Sequence, residues 1–180
     1  MIFHSFCFLK FNQMNKTVVI QGSSRSNGDT RMIINYLNND NSIDIIDLKT
    51  KDIKHFDYDF KNSNDDFISL MENLVLKYDT IIFATPVYWY SMSGLLKVFF
   101  DRISDLLKTH KEIGRMLRGK NMAMISCSNS DTVAAGFSVP FSESANYLGM
   151  QYLGDIHTWV TNGEITEDVK SIIDDFRKKI

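Results

Sequence analysis

Cysteine is scarce in this sequence, and its scarcity excludes several classes of site. Only Cys7 and Cys127 occur among 180 residues, and they form no CxxC pair. A disulfide framework, a zinc ribbon and a four-cysteine iron–sulfur cluster are therefore not expected. The four histidines are scattered without metal-ligand spacing, so we expect no metal site. So few cysteines are typical of proteins from a reducing compartment, and we expect this one in the cytoplasm.

An excess of charge of one sign is also missing. The net charge is −2, which gives no basic field to attract nucleic acid or an anionic membrane. The chain is likewise not acidic enough to resemble an electron carrier that docks by electrostatics. With 44% hydrophobic and 23% charged residues, its composition is that of an ordinary globular domain, and its length suits one domain.

The first residues lack the features of a targeting segment. The run MIFHSFCFLKFNQM is apolar, but His4 and Lys10 interrupt it, and it has neither a basic start nor a small-residue cleavage site. It is also too short to span a bilayer. We interpret residues 1–14 as an N-terminal extension outside the fold, and we assign the domain to residues 15–180.

Five short apolar runs alternate with helical patterns along the domain. The predicted strands cover residues 17–21, 43–48, 80–84, 121–127 and 151–157. The predicted helices cover residues 31–37, 65–77, 94–107, 136–148 and 166–179, and Asp29 or Thr30 is expected to cap the first. This alternation predicts an α/β fold with a doubly wound five-stranded parallel sheet, and the order 2-1-3-4-5 is natural for five strands. Ligands then bind beyond the carboxyl ends of strands 1, 3 and 4.

The segment after the first strand, Gly22-Ser-Ser-Arg-Ser-Asn-Gly-Asp-Thr30, has the composition of a phosphate-binding loop. Its two glycines let the backbone approach an anion closely, and it leads into a helix N-terminus that favours negative charge. Donor groups come from Ser23, Arg25, Ser26, Asn27 and Thr30. The spacing matches neither the dinucleotide nor the triphosphatase motif, so it favours a phosphate monoester. A polar turn that only caps the helix is the alternative interpretation.

The segment after the third strand, Thr85-Pro-Val-Tyr-Trp-Tyr90, is rich in aromatic residues. We expect Pro86, Val87, Tyr88 and Trp89 to line a flat heteroaromatic ring. Tyr90 is equally compatible with ligand contact and with a buried cluster or subunit contact. The helix that follows is apolar over roughly 200° of its surface, about twice what one sheet face requires. Leu96, Phe100 and Leu107 are therefore predicted to form a second stripe, on which a homodimer would assemble.

Together these two loops, GSSRSNGDT and TPVYWYSMSGLLKVFFDR, resemble those of the NAD(P)H-dependent FMN reductase family of flavodoxin-like proteins. The resemblance spans nearly the whole domain and implies a three-layer sandwich that binds FMN and uses NAD(P)H as co-substrate. Relatives commonly carry a GSPRxxGNT-like loop, from which Ser24 and Asp29 depart. The compact cysteine cluster of the related iron–sulfur flavoproteins is absent.

Carried over by position, the five donor residues of the first loop would hold the FMN phosphate, and Pro86 to Trp89 would line the isoalloxazine. Ser126, Cys127, Ser128 and Asn129, after the fourth strand, would approach its pyrimidine side. Arg115 and Arg118 are candidates for reading the 2′-phosphate of NADPH.

The resemblance implies an oxidoreductase that passes hydride from NAD(P)H through FMN to a small acceptor: a quinone, a nitro or azo compound, or free flavin. We name no catalytic acid or base, because the cofactor carries this reaction. Two alternatives stay open. One is a flavodoxin-like FMN electron carrier without NAD(P)H activity. The other is a phosphate-binding regulatory fold without flavin.

Overall fold

The structure, a computed structural model, describes residues 16–180 and confirms the predicted succession of strands. They are β1 (Thr17–Gln21), β2 (Asp44–Asp47), β3 (Thr80–Pro86), β4 (Asn121–Ser128) and β5 (Gln151–Trp159). The helices are α1 (Asp29–Leu37), α2 (Asp66–Lys77), α3 (Gly94–Lys108), α4 (Lys111–Arg115), α5 (Val139–Leu148) and α6 (Glu167–Arg177). The interpretation of residues 1–14 as an extension lies outside the described residues.

The sheet has the predicted order β2-β1-β3-β4-β5, and every adjacent pair is parallel. Successive strand residues point to opposite faces of the sheet. In β1, Val18 and Ile20 pack with α2, α3, α4 and α5, whereas Val19 packs with α1 and α6. The fold is therefore the expected three-layer sandwich. No helix within residues 16–180 is long and apolar enough to cross a membrane.

Three local expectations were wrong. Helix α1 begins at Asp29 with Gly28 as its N-cap, so neither Asp29 nor Thr30 caps it. Helix α5 begins at Val139 rather than at residue 136, because Gly136 adopts a φ of +84° that a helix cannot contain; Pro140 lies in its first turn, as its missing amide requires. Helix α4 was not predicted at all, since its five residues are too few to show a helical period.

The prediction of a second apolar stripe on α3 was wrong for Leu96, which is fully buried. Phe100 is half-buried and packs against Phe83 and Phe141, with ring centroids 4.9 and 5.1 Å away. Only Leu107 of the predicted stripe is exposed. Much of the apolar excess of this helix therefore fills the space between the sheet and α5.

Candidate functional site

Three loops meet at the carboxyl edge of the sheet, after β1, β3 and β4. The Gly22 amide donates to the Ala84 carbonyl (2.8 Å), which joins the first loop to β3. The Val87 amide donates to the Cys127 carbonyl (2.9 Å), which joins the second loop to β4. The structure thus brings together the three segments that were expected to cluster.

A buried side chain that the sequence did not reveal shapes the loop after β1. Gln21 is fully buried, and its Nε2 donates to the carbonyl oxygens of Arg25 (3.3 Å) and Ser26 (3.1 Å). The buried Ser23 accepts a hydrogen bond from the Arg25 amide at Oγ (3.2 Å). Two carbonyl oxygens that would repel an anion are therefore turned toward the protein.

The N-terminus of α1 is open to an acceptor from outside. Its N-cap is Gly28, and no side chain of the described chain accepts from the first-turn amides there. Thr30 is buried in that first turn, and Asp29 is half-buried beside it. Four amides of a helix N-terminus lack internal partners, and a phosphate satisfies them well. The amides and hydroxyls fit a phosphate group, although the Asp29 carboxylate opposes it.

The two arginines near this loop have different roles. Arg31 donates from Nε to the Ser26 carbonyl (3.2 Å), and it lies 3.8 Å from the Asp47 carboxylate. Arg25 is exposed, and its guanidinium lies over Gly28, where an added Cβ would come within 3.4 Å of Nε. Arg25 is therefore the cation that the loop presents to solvent. Asn27 is exposed beside it, and Ser26 is half-buried.

The first loop is fixed to the start of α3. A Cβ added at Gly22 would lie 2.7 Å from the Leu96 Cβ, so only glycine fits there. Ser93 donates from Oγ to the Gly22 carbonyl, and the same Oγ accepts from the Leu96 amide (3.1 Å) as the N-cap of α3. The Ser93 amide in turn donates to Thr85 Oγ1 (3.0 Å) in β3. Ser93 thus holds both the loop after β1, here called the phosphate loop, and the loop after β3, here called the aromatic loop.

The aromatic loop forms a tight turn from Tyr88 to Ser91. The two residues exchange backbone hydrogen bonds of 2.9 and 3.1 Å, and the central Trp89 and Tyr90 have φ angles of 49° and 63°. Left-handed backbone is unfavourable for large side chains. Packing does not offset this cost, because the two side chains are 94% and 76% exposed. Tyr88 Oη lies 2.9 Å from Ser24 Oγ, so the turn touches the phosphate loop.

A cleft of about 520 Å³ separates this turn from the loop after β4. Val87, Trp89 and Tyr90 line one side, and Ser128–Ser130 with Thr132–Ala134 line the other. None of these lining residues carries a charge. Pro86 does not line this cleft, since it is buried as the last residue of β3. The cleft suits a flat, largely apolar ring.

The end of β4 contributes fewer free donors than the sequence suggested. Ser126 is buried, and its Oγ lies 2.8 Å from Nδ1 of His157. Ser128 is half-buried and donates from Oγ to the Ser130 carbonyl (2.9 Å). Burial raises the pKa of the Cys127 thiol to about 11, so it is neutral near pH 7 and unsuited to act as a nucleophile.

The candidate residues for NADPH selection lie elsewhere. Arg115 and Arg118 precede β4, and the backbone carbonyl of the neighbouring Lys120 accepts from the Gln151 amide (2.8 Å) at the start of β5. They therefore occupy the amino edge of the sheet, opposite the cleft, and the expectation for them was wrong. Among residues 16–180, no three His, Cys, Asp or Glu side chains cluster as metal ligands.

The fold and these loops together define a flavodoxin-like protein with a candidate site for a phosphorylated flat-ring cofactor at the carboxyl edge of its sheet. A sequence model of the NADPH-dependent FMN reductases matches residues 15–164. The chain belongs to this family; FMN is its cofactor, and NAD(P)H is its co-substrate.

Relatives span most of the chain. The NADPH azoreductase of Bacillus sp. (strain OY1-2) is 28% identical over 167 residues, which cover 92% of this chain and 90% of the azoreductase. The protein YwqN of Bacillus subtilis (strain 168) is 28% identical over 149 residues, covering 77% and 82% of the two chains. An FMN-dependent NADH-azoreductase from Bacillus anthracis, solved in complex with FMN, superposes with a TM-score of 0.66 at 13% identity, covering 92% and 99%.

Proposed function

We propose that the protein takes hydride from NAD(P)H at FMN bound in this site and delivers it to a neutral, flat acceptor. One observation carries the proposal. The loop suited to a phosphate and the uncharged cleft are parts of a single site, joined by the Ser24–Tyr88 contact of 2.9 Å. A polar turn that only caps a helix would need no aromatic turn against it.

Each part of the site has a separate role in this reaction. Ser23, Arg25, Ser26, Asn27 and Thr30 would hold the phosphate, together with the open amides of α1. When bound, FMN supplies the hydride chemistry, accepting two electrons from a nicotinamide and giving them to a second substrate. The protein orients the reactants and excludes water, and no side chain is needed as a proton donor in this scheme.

The walls of the cleft determine where ring contacts would occur. Val87 and Trp89 would lie along the isoalloxazine, and Ser128 would face its pyrimidine side. Tyr88 does not line the cleft; its hydroxyl contacts Ser24, so it would approach the ring only from the side of the first loop. Pro86 and Ser126 are both buried, so we assign them the support of these neighbours rather than direct contact.

The acceptor class follows from the cleft lining. No charged side chain borders it, so it offers no partner for an anionic substituent and would favour neutral acceptors such as quinones or azo compounds. The named activity of the Bacillus azoreductase agrees with this choice. Because one cleft serves both substrates, NAD(P)H must leave before the acceptor enters, and ping-pong kinetics are expected.

A single preparation tests the proposal. The purified protein is loaded with FMN, its visible spectrum is recorded, and NADH or NADPH is added without oxygen. Bleaching, followed by recovery of the yellow colour on adding a neutral quinone, is the expected result. A yellow protein that neither nucleotide bleaches would indicate an electron carrier, and a protein that cannot be loaded with FMN would refute both interpretations.

We also propose that two copies associate through the groove between α3 and α5. This groove of about 440 Å³ combines apolar side chains, among them Phe100, Leu107 and Tyr147, with polar ones that include Glu143, and Tyr147 is 75% exposed. Exposed apolar surface of this kind is typical of an interface. Tyr147→Lys should therefore shift the molar mass by light scattering from dimer to monomer. Tyr58→Lys, at an 88% exposed tyrosine elsewhere, is the matched control and should leave the mass unchanged.

The predicted cytoplasmic location remains a prediction that rests on the low cysteine content.

A further inference from the structure

One histidine connects the end of β5 to the loop that follows β4. His157 stands opposite Ser126 in the β4–β5 register, and its Nδ1 lies 2.8 Å from Ser126 Oγ. On the other side of the ring, Nε2 lies 2.9 Å from the carbonyl oxygen of Ser130 and 3.4 Å from Ser128 Oγ. Both ring nitrogens are therefore engaged, although sequence spacing gave no role to this residue.

The chemistry of the partners defines the tautomer of the ring. A carbonyl oxygen can only accept, so Nε2 must carry the hydrogen that is donated to Ser130. In the neutral ring Nδ1 is then an acceptor, and the Ser126 hydroxyl, which also lies 3.4 Å from the Ile156 carbonyl, donates to it. The Ser126 carbonyl meanwhile accepts from Thr158 Oγ1 (2.7 Å).

The loop held by His157 is one wall of the cleft. Ser128 donates to the Ser130 carbonyl (2.9 Å) and accepts from its amide (3.0 Å), which makes a tight local turn. Beyond that turn, the Ser130 hydroxyl lies 3.0 Å from Thr132 Oγ1. His157 ties the Ser130 carbonyl to β5, beyond the backbone bond from the Val160 amide to the Ser128 carbonyl (3.4 Å). Asn129 and Ser130 are exposed, so packing does little to hold them.

We propose that His157 is a positioning residue that fixes the Ser128–Ser130 turn, and with it the wall that meets the pyrimidine side of the flavin. This proposal rests on the function proposed above. Its hydrogen bonds act through the loop, because the ring contacts Ser128 and Ser130, which line the cleft, while His157 itself does not. Removal of the donated bond should loosen the wall and weaken the binding of FMN.

Two substitutions separate the two hydrogen bonds. His157→Gln keeps an N–H at the reach of Nε2, so it can still donate to the Ser130 carbonyl. His157→Asn is shorter and can replace only the Nδ1 acceptor. We expect the FMN dissociation constant, measured by flavin fluorescence quenching, to rise about fivefold in His157→Asn, as expected for one lost hydrogen bond. It should change less than about twofold in His157→Gln, and the same should hold for the control His110→Gln.

The visible spectrum of bound FMN and the thermal midpoint complete the test. The flavin bands of His157→Asn should shift while its thermal midpoint stays near that of His157→Gln. If both variants bind FMN as tightly as the wild type with the same spectrum, or if they lose affinity equally, the positioning role is wrong. An inability of the wild type itself to bind FMN would instead refute the proposed function.

The tautomer can be tested without flavin. Long-range proton–nitrogen correlation spectra of the apo protein should show the His157 ring hydrogen on Nε2. A hydrogen on Nδ1 would contradict the donated bond to Ser130, whatever the affinity for FMN.

Discussion

Replacing the pair Trp89–Tyr90 by Asn–Gly should make the protein more stable and, at the same time, a poorer enzyme. Both residues are held at positive φ, in the centre of a turn closed by reciprocal bonds between Tyr88 and Ser91. Such a turn strongly favours Asn–Gly, because both central positions need left-handed backbone. Two large aromatic residues are among the least suited to it.

The chain contains its own comparison for this turn. Thr161 and Glu164 exchange the same pair of backbone bonds, 3.0 Å each, around a central Asn162–Gly163 with φ angles of 51° and 80°. Two turns with the same bonding and the same left-handed centres thus carry different residues. The turn beside the cleft carries the unfavourable pair, which is consistent with backbone strain that persists because the function requires these two side chains.

The magnitude follows from backbone conformation and burial. Left-handed backbone costs about 1–2 kcal/mol for a residue other than glycine, and Asn tolerates it better than Trp. Few contacts are lost, since Trp89 and Tyr90 are 94% and 76% exposed. Glycine at position 90 costs about 0.5–1 kcal/mol, because it gives the unfolded chain more freedom. The free energy of unfolding should therefore rise by a net amount of about 1 kcal/mol. A domain of this size then melts roughly 2–4 °C higher.

The assay combines thermal unfolding of the apo protein with steady-state reduction of a neutral quinone. The double variant should melt higher, and its kcat/KM should fall because the ring contacts are lost. The mirror variant, Asn162→Trp with Gly163→Tyr, should melt lower, since an added Cβ at Gly163 has no atom within 4 Å and meets only the backbone penalty. A double variant at residues 89 and 90 that melts at or below the wild-type temperature would refute the strain argument.

Three further predictions concern single side chains. Arg25→Ala should weaken FMN binding by about 1–3 kcal/mol in a fluorescence titration, the usual range for a charge-assisted contact, and unchanged affinity would remove Arg25 from the site. Arg102→Met should destabilise the fold by about 3–5 kcal/mol in urea, since it leaves the buried Asp65 carboxylate unpaired, whereas a loss below 1 kcal/mol would contradict this. Although burial opposes it, hydrogen bonds from Arg102 and backbone amides hold the pKa of Asp65 below its usual value, so this stabilisation is present at neutral pH. The wild type should lose it as the pH falls through the lowered pKa of Asp65, and its advantage in stability over Arg102→Met should shrink accordingly. In a Cys7→Ser background, the folded Cys127 thiol, with its pKa raised by burial to about 11, should stay unreactive to a disulfide reagent at pH 8 and react fully in denaturant.

The strands and their order were predictable from the sequence because β1, β3 and β4 are buried on both faces. Residues such as Ile20, Ile82 and Ile125 belong to continuous apolar runs that only a covered parallel sheet can accommodate. The stripe on α3 was less predictable. When about 200° of a helix is apolar, periodicity alone cannot say which part faces the sheet, and the close contact of Gly22 with Leu96 decides it.

The site was predictable where its chemistry is local and hidden where it depends on distant residues. The hydroxyls, arginine and glycines of the first loop are adjacent in sequence, so one segment is enough to predict a phosphate site. Gln21 lies directly before that loop, but its role depends on hydrogen bonds from its side chain to carbonyl oxygens four and five residues later in the chain. His157 lies 27 residues from Ser130, and only the pairing of β4 with β5 brings the two together.

Because Ser93 holds both loops, the free energies that the two loops contribute to binding should not simply add. Ser93 bonds the Gly22 carbonyl and, through its amide, Thr85 Oγ1, while Ser24 contacts Tyr88. Groups connected in one network do not contribute independently, so a shift in the aromatic turn must also move the phosphate loop. If FMN binds as proposed, much of the specificity for it would come from the fixed spacing between the loop after β1 and the cleft. A free phosphate or a free flavin ring would each fit one loop without using that spacing.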